Sequence, residues 1–439
     1  MPPSPRKTPP SSRRRSAPSA PVIEPGKLLV VPHPAWLEAG PAAAATRSRR
    51  SASPSDPLKA RALLLEAFAG QALSTRTRRT RSAGALSATP APEILAGLGA
   101  LVMDSSTVDA AALQGSGRAT VFPNYYIPLV APAQASSRSA SRPDFWHLPA
   151  IRIQAARAKQ LDGRGILVGI LDTGIDAAHP EFQGRKVHFA EFDRQGTLLN
   201  RPPRDAGNHG THVAGLIGGN QAGVAPACSL AMAAVLTIPT PYGLSGTLVQ
   251  ISKGLNWLLT HPFRGPQGDP GVDLVNASLG SSGYSGYLYA ALANARFVPG
   301  TGMVAAIGNS WRDGINHHGS PGNYDIVCGI GAATSSGRIA SFSDWGTVPQ
   351  HSGLAKPDLA APGQDVWSAV PGGKLEPMSG TSMASPVAAG AAALLLQQDP
   401  ALGASVPALF SRLQQLVRPF TRASDRARGG AGHLDLTRI

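Results

Sequence analysis

Cysteine is nearly absent from this 439-residue sequence: Cys228 and Cys328 are the only two. Two thiols cannot build a disulfide framework or a four-thiolate metal site, so both are expected as small buried apolar residues. Aromatic side chains make up only 5%. No uninterrupted apolar run approaches the ~18 residues of a membrane-spanning helix, and no G-X-Y period suggests a collagen. Acidic residues are scarce as well, 26 against 40 Lys and Arg, for a net charge of +14. The first 24 residues, MPPSPRKTPPSSRRRSAPSAPVIE, lack the apolar core of roughly 7–15 residues that a secretory signal needs. The sequence therefore leads to the expectation of an intracellular or unconventionally exported protein.

Glycine and proline are plentiful, 49 and 40 residues, which reads as loop-rich and globular rather than wholly disordered. The charge is uneven. Residues 1–150 carry 18 Lys and Arg and 8 Asp and Glu, net +10, leaving 22 and 18, net +4, for the remainder. Much of the excess lies in three clusters, at Arg13 to Arg15, at Arg47, Arg49 and Arg50, and at Arg76, Arg78, Arg79 and Arg81. These clusters stand among Ser, Thr, Pro and Ala, too poor in apolar residues to offset the entropy of ordering, so a solvated tail is expected over residues 1–57. They lack interleaved aromatics for base stacking, which argues against nucleic acid as a partner.

Residues 58–130 read as a small α+β unit. LKARALLLEAFAG gives a helical pattern that Gly70 should break. ILAGLGALVM, a helix start at Ser106 or Thr107, and the strand-like ATVFPNYYIPLV follow. Residues 131–143, APAQASSRSASRP, form a polar linker of the kind that proteases nick. From residue 144 to 439 strands and helices alternate, the signature of an α/β domain whose parallel sheet is covered on both faces. Strands are expected near 166–171, 186–189, 230–235, 274–277, 303–307 and 326–331. Helices are expected near 209–217, 244–260, 286–295, 381–398 and 405–417. The strand runs are short and apolar on both faces, as buried parallel strands are.

In such sheets ligands collect beyond the carboxyl ends of the strands. Three polar residues stand at such places: Asp172 in GILDTGID, His209 in GNHGTHVAG and Ser382 in MSGTSMASP. Singly, each could be a turn former, a loop residue or a helix cap. Together they are a carboxylate, an imidazole and a hydroxyl. A serine hydroxyl attacks only with an adjacent base, and the base needs a carboxylate to fix its tautomer.

DTGI, HGTHVAG and GTSMASP, in that order, resemble the three signatures of the subtilisin-like serine proteases, over roughly Trp146 to Ile439. The resemblance implies a three-layer fold with a mainly parallel sheet flanked by helices. It implies Ser382 as nucleophile, His209 as general acid and base, and Asp172 as the orienting carboxylate. AAIGNS resembles the oxyanion-hole segment, with Asn309 as donor, and NASLG the strand that pairs with substrate, with Ser278, Leu279 and Gly280. The activity implied is endopeptidase action on proteins or peptides through an acyl-enzyme. The unit before the linker is similar to an inhibitor-type propeptide, which implies a self-processing, monomeric zymogen whose own N-terminal segment is an inhibitory partner.

GVAPA, KPDLAAPG and SFSDWG read as scaffold. The GGNQA connection is shorter than the calcium loop of related proteases. No cofactor is expected; calcium stays open, with no site identified. His317 and His318 are adjacent, with no further Cys or His cluster nearby, and read as a solvated loop rather than a metal site. His212 reads as a structural hydrogen-bonder. The competing reading makes the basic N-terminus a binding module that carries a protease domain to an acidic partner such as nucleic acid.

Overall fold

The computed structural model describes residues 22–34, 57–77, 90–130, 132–133, 143–241, 243–265, 268–295, 301–310 and 317–439. The chain begins with a four-stranded leader unit. Strand β1 is Ile23–Pro32, helix α1 is Pro57–Thr77, β2 is Glu93–Leu95, β3 is Ala100–Asp104, α2 is Ala110–Gly115 and β4 is Ala119–Pro128. Two expectations are corrected here. The tail expected to be solvated through residue 57 contributes a central strand, because Leu28 to Val31 are buried between β3 and β4. Gly70 does not end α1. A side chain there would meet open space, while Leu65, Phe68, Ala69 and Ala72 bury one face of the helix on the sheet. Helix α2 starts later than Ser106, at a cap supplied by Asp109, whose carboxylate accepts the Ala112 N–H at 2.9 Å. The arginine clusters at Arg13 and Arg47 lie outside the described residues, as does most of the linker.

The second unit is an α/β domain. Its elements are β5 (Leu167–Asp172), β6 (Val187–Phe192), β7 (Leu198–Leu199), α3 (His209–Gly218), β8 (Ser229–Ala234), β9 (Ile238–Thr240), β10 (Gly243–Thr247), α4 (Leu248–Thr260), β11 (Leu274–Ala277), α5 (Tyr289–Ala295), β12 (Gly302–Ala306), β13 (Cys328–Ala333), β14 (Leu359–Pro362), α6 (Thr381–Gln398), α7 (Val406–Gln415), β15 (Val417–Arg418) and β16 (His433–Leu434). The sheet runs β15-β16-β14-β13-β12-β11-β5-β8-β6-β7, and only the outermost pair at each edge is antiparallel. Each inner strand is apolar on both faces because helices cover both. Helices α3 and α6 pack together on one face, within the core that includes Val213, Ile217, Val387 and Leu394. On the other face α4 and α5 carry Ile251, Leu255, Leu258 and Ala291 into a core that also takes Leu29, Val31 and Leu95 of the leader. No described helix is long and apolar enough to cross a membrane.

The two units share one sheet, ordered β2-β3-β1-β4-β10-β9. The start of the expected helix at 244–260 is therefore strand, since residues 245–247 pair with β4, residues 243–245 pair with β9, and Thr247 then caps α4 in a reciprocal box with Gln250. The leader also covers polar groups that the domain leaves open. Its buried Asn124 accepts the Val249 N–H of the first turn of α4 at 2.8 Å. Asn256 accepts the Gly97 N–H at 2.9 Å, and the Asn294 amide donates to the carbonyls of Pro32 and Gly99. Glu93 pairs with Lys27 of the leader and with Lys253 of α4.

Candidate active site

Asp172 ends β5 and is fully buried. The turn after it closes on Gly174, whose φ of +128° and contact with the Arg204 carbonyl, 2.1 Å from where a Cβ would lie, admit only glycine. That turn brings the head of α3 against β5. His209 opens α3, and its Nδ1 lies 2.8 Å from Asp172 Oδ1. An ionised carboxylate only accepts, so Nδ1 carries the proton and Nε2 is left as the basic nitrogen. Nε2 is buried and has no hydrogen-bond partner among the described residues. The Thr173 N–H holds the same Asp172 oxygen at 2.7 Å, which fixes the carboxylate plane.

Ser382 is the second residue of α6 and is buried under the segment that leaves the leader. Its hydroxyl donates to the Val130 carbonyl at 3.1 Å. That segment lies in the cleft as an extended strand. Tyr126 to Pro128 pair with Ser245 to Thr247, Leu129 bridges Leu279, and Ala133 bridges Ser379 beyond Ser382. Gly280 donates its N–H to Pro128 at 3.3 Å. Leu279 and Gly280 thus meet the bound strand through their backbones.

Ser278 acts differently from its expected place in the substrate strand. It is fully buried, and its hydroxyl donates to the Ser382 carbonyl at 3.1 Å. The reason sits four residues along α6, where Pro386 has no N–H to give that carbonyl. Ser278 supplies the missing donor. Its oxygen is held in turn by the Asn276 amide at 3.1 Å, and Asn276 Oδ1 accepts from Ser385 of α6 at 2.7 Å. All four residues are completely buried, so the turn that carries the nucleophile is tied to β11 through a closed polar network.

Asn309 follows β12. Its Oδ1 accepts from both the N–H and the hydroxyl of Thr381, at 2.8 and 2.9 Å, which turns its NH₂ away from Thr381. Asp344 brackets this turn: its carboxylate takes the Ser310 N–H at 2.8 Å and its own N–H donates to the Gly308 carbonyl at 3.0 Å. SFSDWG, read as scaffold, therefore holds a candidate oxyanion donor in place. The only available signal was the Asp in that segment, and its target lies 34 residues earlier.

His318 is buried rather than solvated, with Nε2 3.1 Å from the Thr347 carbonyl and Nδ1 3.0 Å from the Asn323 amide. His317 turns instead to the Ser282 hydroxyl. Among the described residues no group of three His, Cys, Asp or Glu is placed to hold a metal. The short GGNQA connection is held by the buried Glu181 carboxylate, which accepts the N–H groups of Gln221 and Ala222 at 2.9 and 3.0 Å. Cys228 and Cys328 are free and buried, and burial pushes the Cys228 thiol up to about 12.

A sequence profile of the subtilase family matches residues 163–422, more than half of the chain. Subtilisin-like protease 5 of Arthroderma gypseum is 36% identical over 261 residues, which are 59% of this chain and 59% of the relative. Subtilisin-like protease 6 of Trichophyton soudanense is 36% identical over 240 residues, 53% of this chain and 52% of its own length. The chain thus spans little more than half the length of these curated relatives. Among solved structures, a cold-adapted subtilisin-like serine proteinase aligns with a TM-score of 0.51 at 31% identity, over 63% of this chain and 90% of its own. Fervidolysin from Fervidobacterium pennivorans, a keratinolytic enzyme related to subtilisin, shares the fold over 94% of this chain and 60% of its own, with a TM-score of 0.65 at 21% identity. The mainly parallel, helix-flanked sheet is accordingly a subtilisin-like fold, and the chain belongs to the subtilase family.

Proposed function

We propose that this chain is a serine endopeptidase made as a self-processing zymogen, and that its first substrate is its own Val130–Ala131 bond. One observation carries the reading: the Ser382 hydroxyl lies 3.1 Å from the Val130 carbonyl of a strand laid through the cleft, while His209 is oriented by Asp172 at 2.8 Å. In the reaction the Ser382 proton passes to His209 Nε2 as Oγ bonds to the Val130 carbon. The charge that develops on the Val130 oxygen is met by the Asn309 NH₂ and the Ser382 N–H. The tetrahedral adduct collapses as His209 gives the proton to the Ala131 nitrogen, and water activated by the same imidazole releases the acyl group. Before attack the hydroxyl must swing its hydrogen from the Val130 oxygen to Nε2. Residues 22–130 then act as a bound inhibitor, and other proteins or peptides become substrates once it leaves.

The test is incubation of purified full-length wild type, Ser382→Ala and His209→Ala, with mass spectrometry of the fragments and a peptide hydrolysis assay. Wild type should yield a fragment starting at Ala131. Both variants should stay full length, with turnover reduced by roughly 10⁶. A variant that keeps more than about a tenth of the wild-type rate, or active wild type with an intact N-terminus, refutes the assignment.

A further inference from the structure

The strand in the cleft carries a proline where the pairing calls for a donor. β4 and β10 are antiparallel, with Tyr126, Ile127 and Pro128 opposite Thr247, Gly246 and Ser245. Leu129 extends this ladder by donating its N–H to the Leu244 carbonyl at 3.0 Å. In an antiparallel ladder successive residues direct their backbone groups to opposite neighbours. Leu129 faces β10, so Pro128 faces the other side, where Leu279 and Gly280 run. The contacts agree: Gly280 donates to the Pro128 carbonyl at 3.3 Å, and Leu129 lies opposite Leu279 in the same antiparallel sense. Most residues at position 128 would return an N–H to the Gly280 carbonyl, completing the pair. Proline has none to return. The Gly280 backbone is wedged where it stands, since even a Cβ there would sit 2.2 Å from the Ser320 carbonyl. The acceptor therefore keeps its place beside a partner that cannot use it.

One side chain of the same strand is engaged in full: Ile127 is completely buried among residues that include Leu248, Ile251 and Leu279. Val130 is half-buried and sets its carbonyl under Ser382. The leader is thus anchored at Ile127 and one backbone bond short.

We infer that Pro128 makes the leader a weaker occupant of this cleft than extended segments that carry a backbone N–H on the third residue before the cut. Such segments outcompete the cleaved leader because they make the bond that it lacks. This rests on the protease reading above, and the test separates the two. The enzyme is the full chain after self-processing. Three chromogenic substrates share the frame Ile-Xaa-Leu-Val, with Xaa alanine, N-methylalanine or proline. N-methylalanine lacks the N–H without closing a ring.

Alanine should give a kcat/KM roughly 2- to 13-fold above the other two, the range expected for one net hydrogen bond. In the full chain Pro128→Ala should leave the cut at Val130 in place and delay the appearance of activity against added peptide by a comparable factor, because the cleaved leader is held longer. Equal rates for alanine and N-methylalanine, or a proline substrate as fast as alanine, overturn the inference and leave the protease assignment standing. Failure of the self-processed chain to cleave any of the three overturns this inference alone, whereas a chain that never cuts itself overturns the assignment and this inference with it.

Discussion

Three histidines are sealed into the fold as neutral bases, and the acid stability of the protein should follow from them. His212 Nε2 lies 3.1 Å from both the Val366 and Glu376 carbonyls, so it carries the proton, and Nδ1 is buried with no partner. His147 donates from Nε2 to Ala222 at 2.8 Å, and His433 from Nδ1 to Leu434 at 2.8 Å, each with the other nitrogen buried and unpartnered. A second proton would have no acceptor. Burial accordingly lowers His212 to about 3 and His147 and His433 to about 4. In the unfolded chain each titrates near 6.5. The folded values are depressed, so the stability they support is complete above about pH 6.5 and is lost as pH falls from there toward 3–4. At about pH 5 the unfolded chain has gained roughly 1.5 pH units of protonation per histidine, about 2 kcal/mol each and about 6 kcal/mol for the three. That is comparable to the whole folding free energy of an ordinary domain. The assay is the urea midpoint of the Ser382→Ala chain, which cannot digest itself, near pH 7 and near pH 5. His212→Gln keeps an amide donor for the Val366 and Glu376 carbonyls but cannot titrate. It should be the less stable protein near pH 7, yet lose about 2 kcal/mol less on acidification. If variant and parent lose the same amount, the argument is wrong.

Asn309→Ala should lower kcat by roughly 10²–10³ with KM little changed, because the donor acts on charge that exists only in the transition state, and a defect confined to KM would remove Asn309 from that role. Asn276→Ala should lower kcat for a different reason. It releases Ser278, and with it the Ser382 carbonyl that Pro386 leaves bare, so Asn276→Asp, which still accepts from Ser385 but has no N–H for Ser278, should lose rate as well, whereas a loss seen only in stability, with kcat intact, would make the network purely structural.

The parallel strands were legible because each is a short apolar run closed by a turn. Leu274–Ala277 and the helix Thr381–Gln398 match the expected bounds. What sequence could not supply were partners distant along the chain. Strand β1 sits in a Pro- and Ser-rich neighbourhood that reads as tail, and what orders it is pairing with residues about 70 to 100 positions away. Residues 244–247 continue a helical pattern locally and become strand because the leader pairs with residues 245–247. Ser278 looked like part of a substrate strand, and nothing near it points to Pro386, 108 residues on. Asp172 and His209 were readable because each stands at a strand or helix end that a glycine-rich turn marks.

Under the proposed self-processing, the shared sheet β2-β3-β1-β4-β10-β9 has a consequence for the timing of activation. While Val130 and Ala131 remain joined, the leader is held at the effective concentration of a tethered strand, and dilution has no influence on its occupancy. Hydrolysis removes the tether and leaves every rung between β4 and β10 in place. The leader then becomes a separate molecule whose grip depends on how much of it is present. Emergence of activity is therefore governed by dilution and by digestion of the departed leader, each molecule freed helping to destroy the inhibitor of the rest, so a concentrated sample should lag and then accelerate while a dilute one rises smoothly.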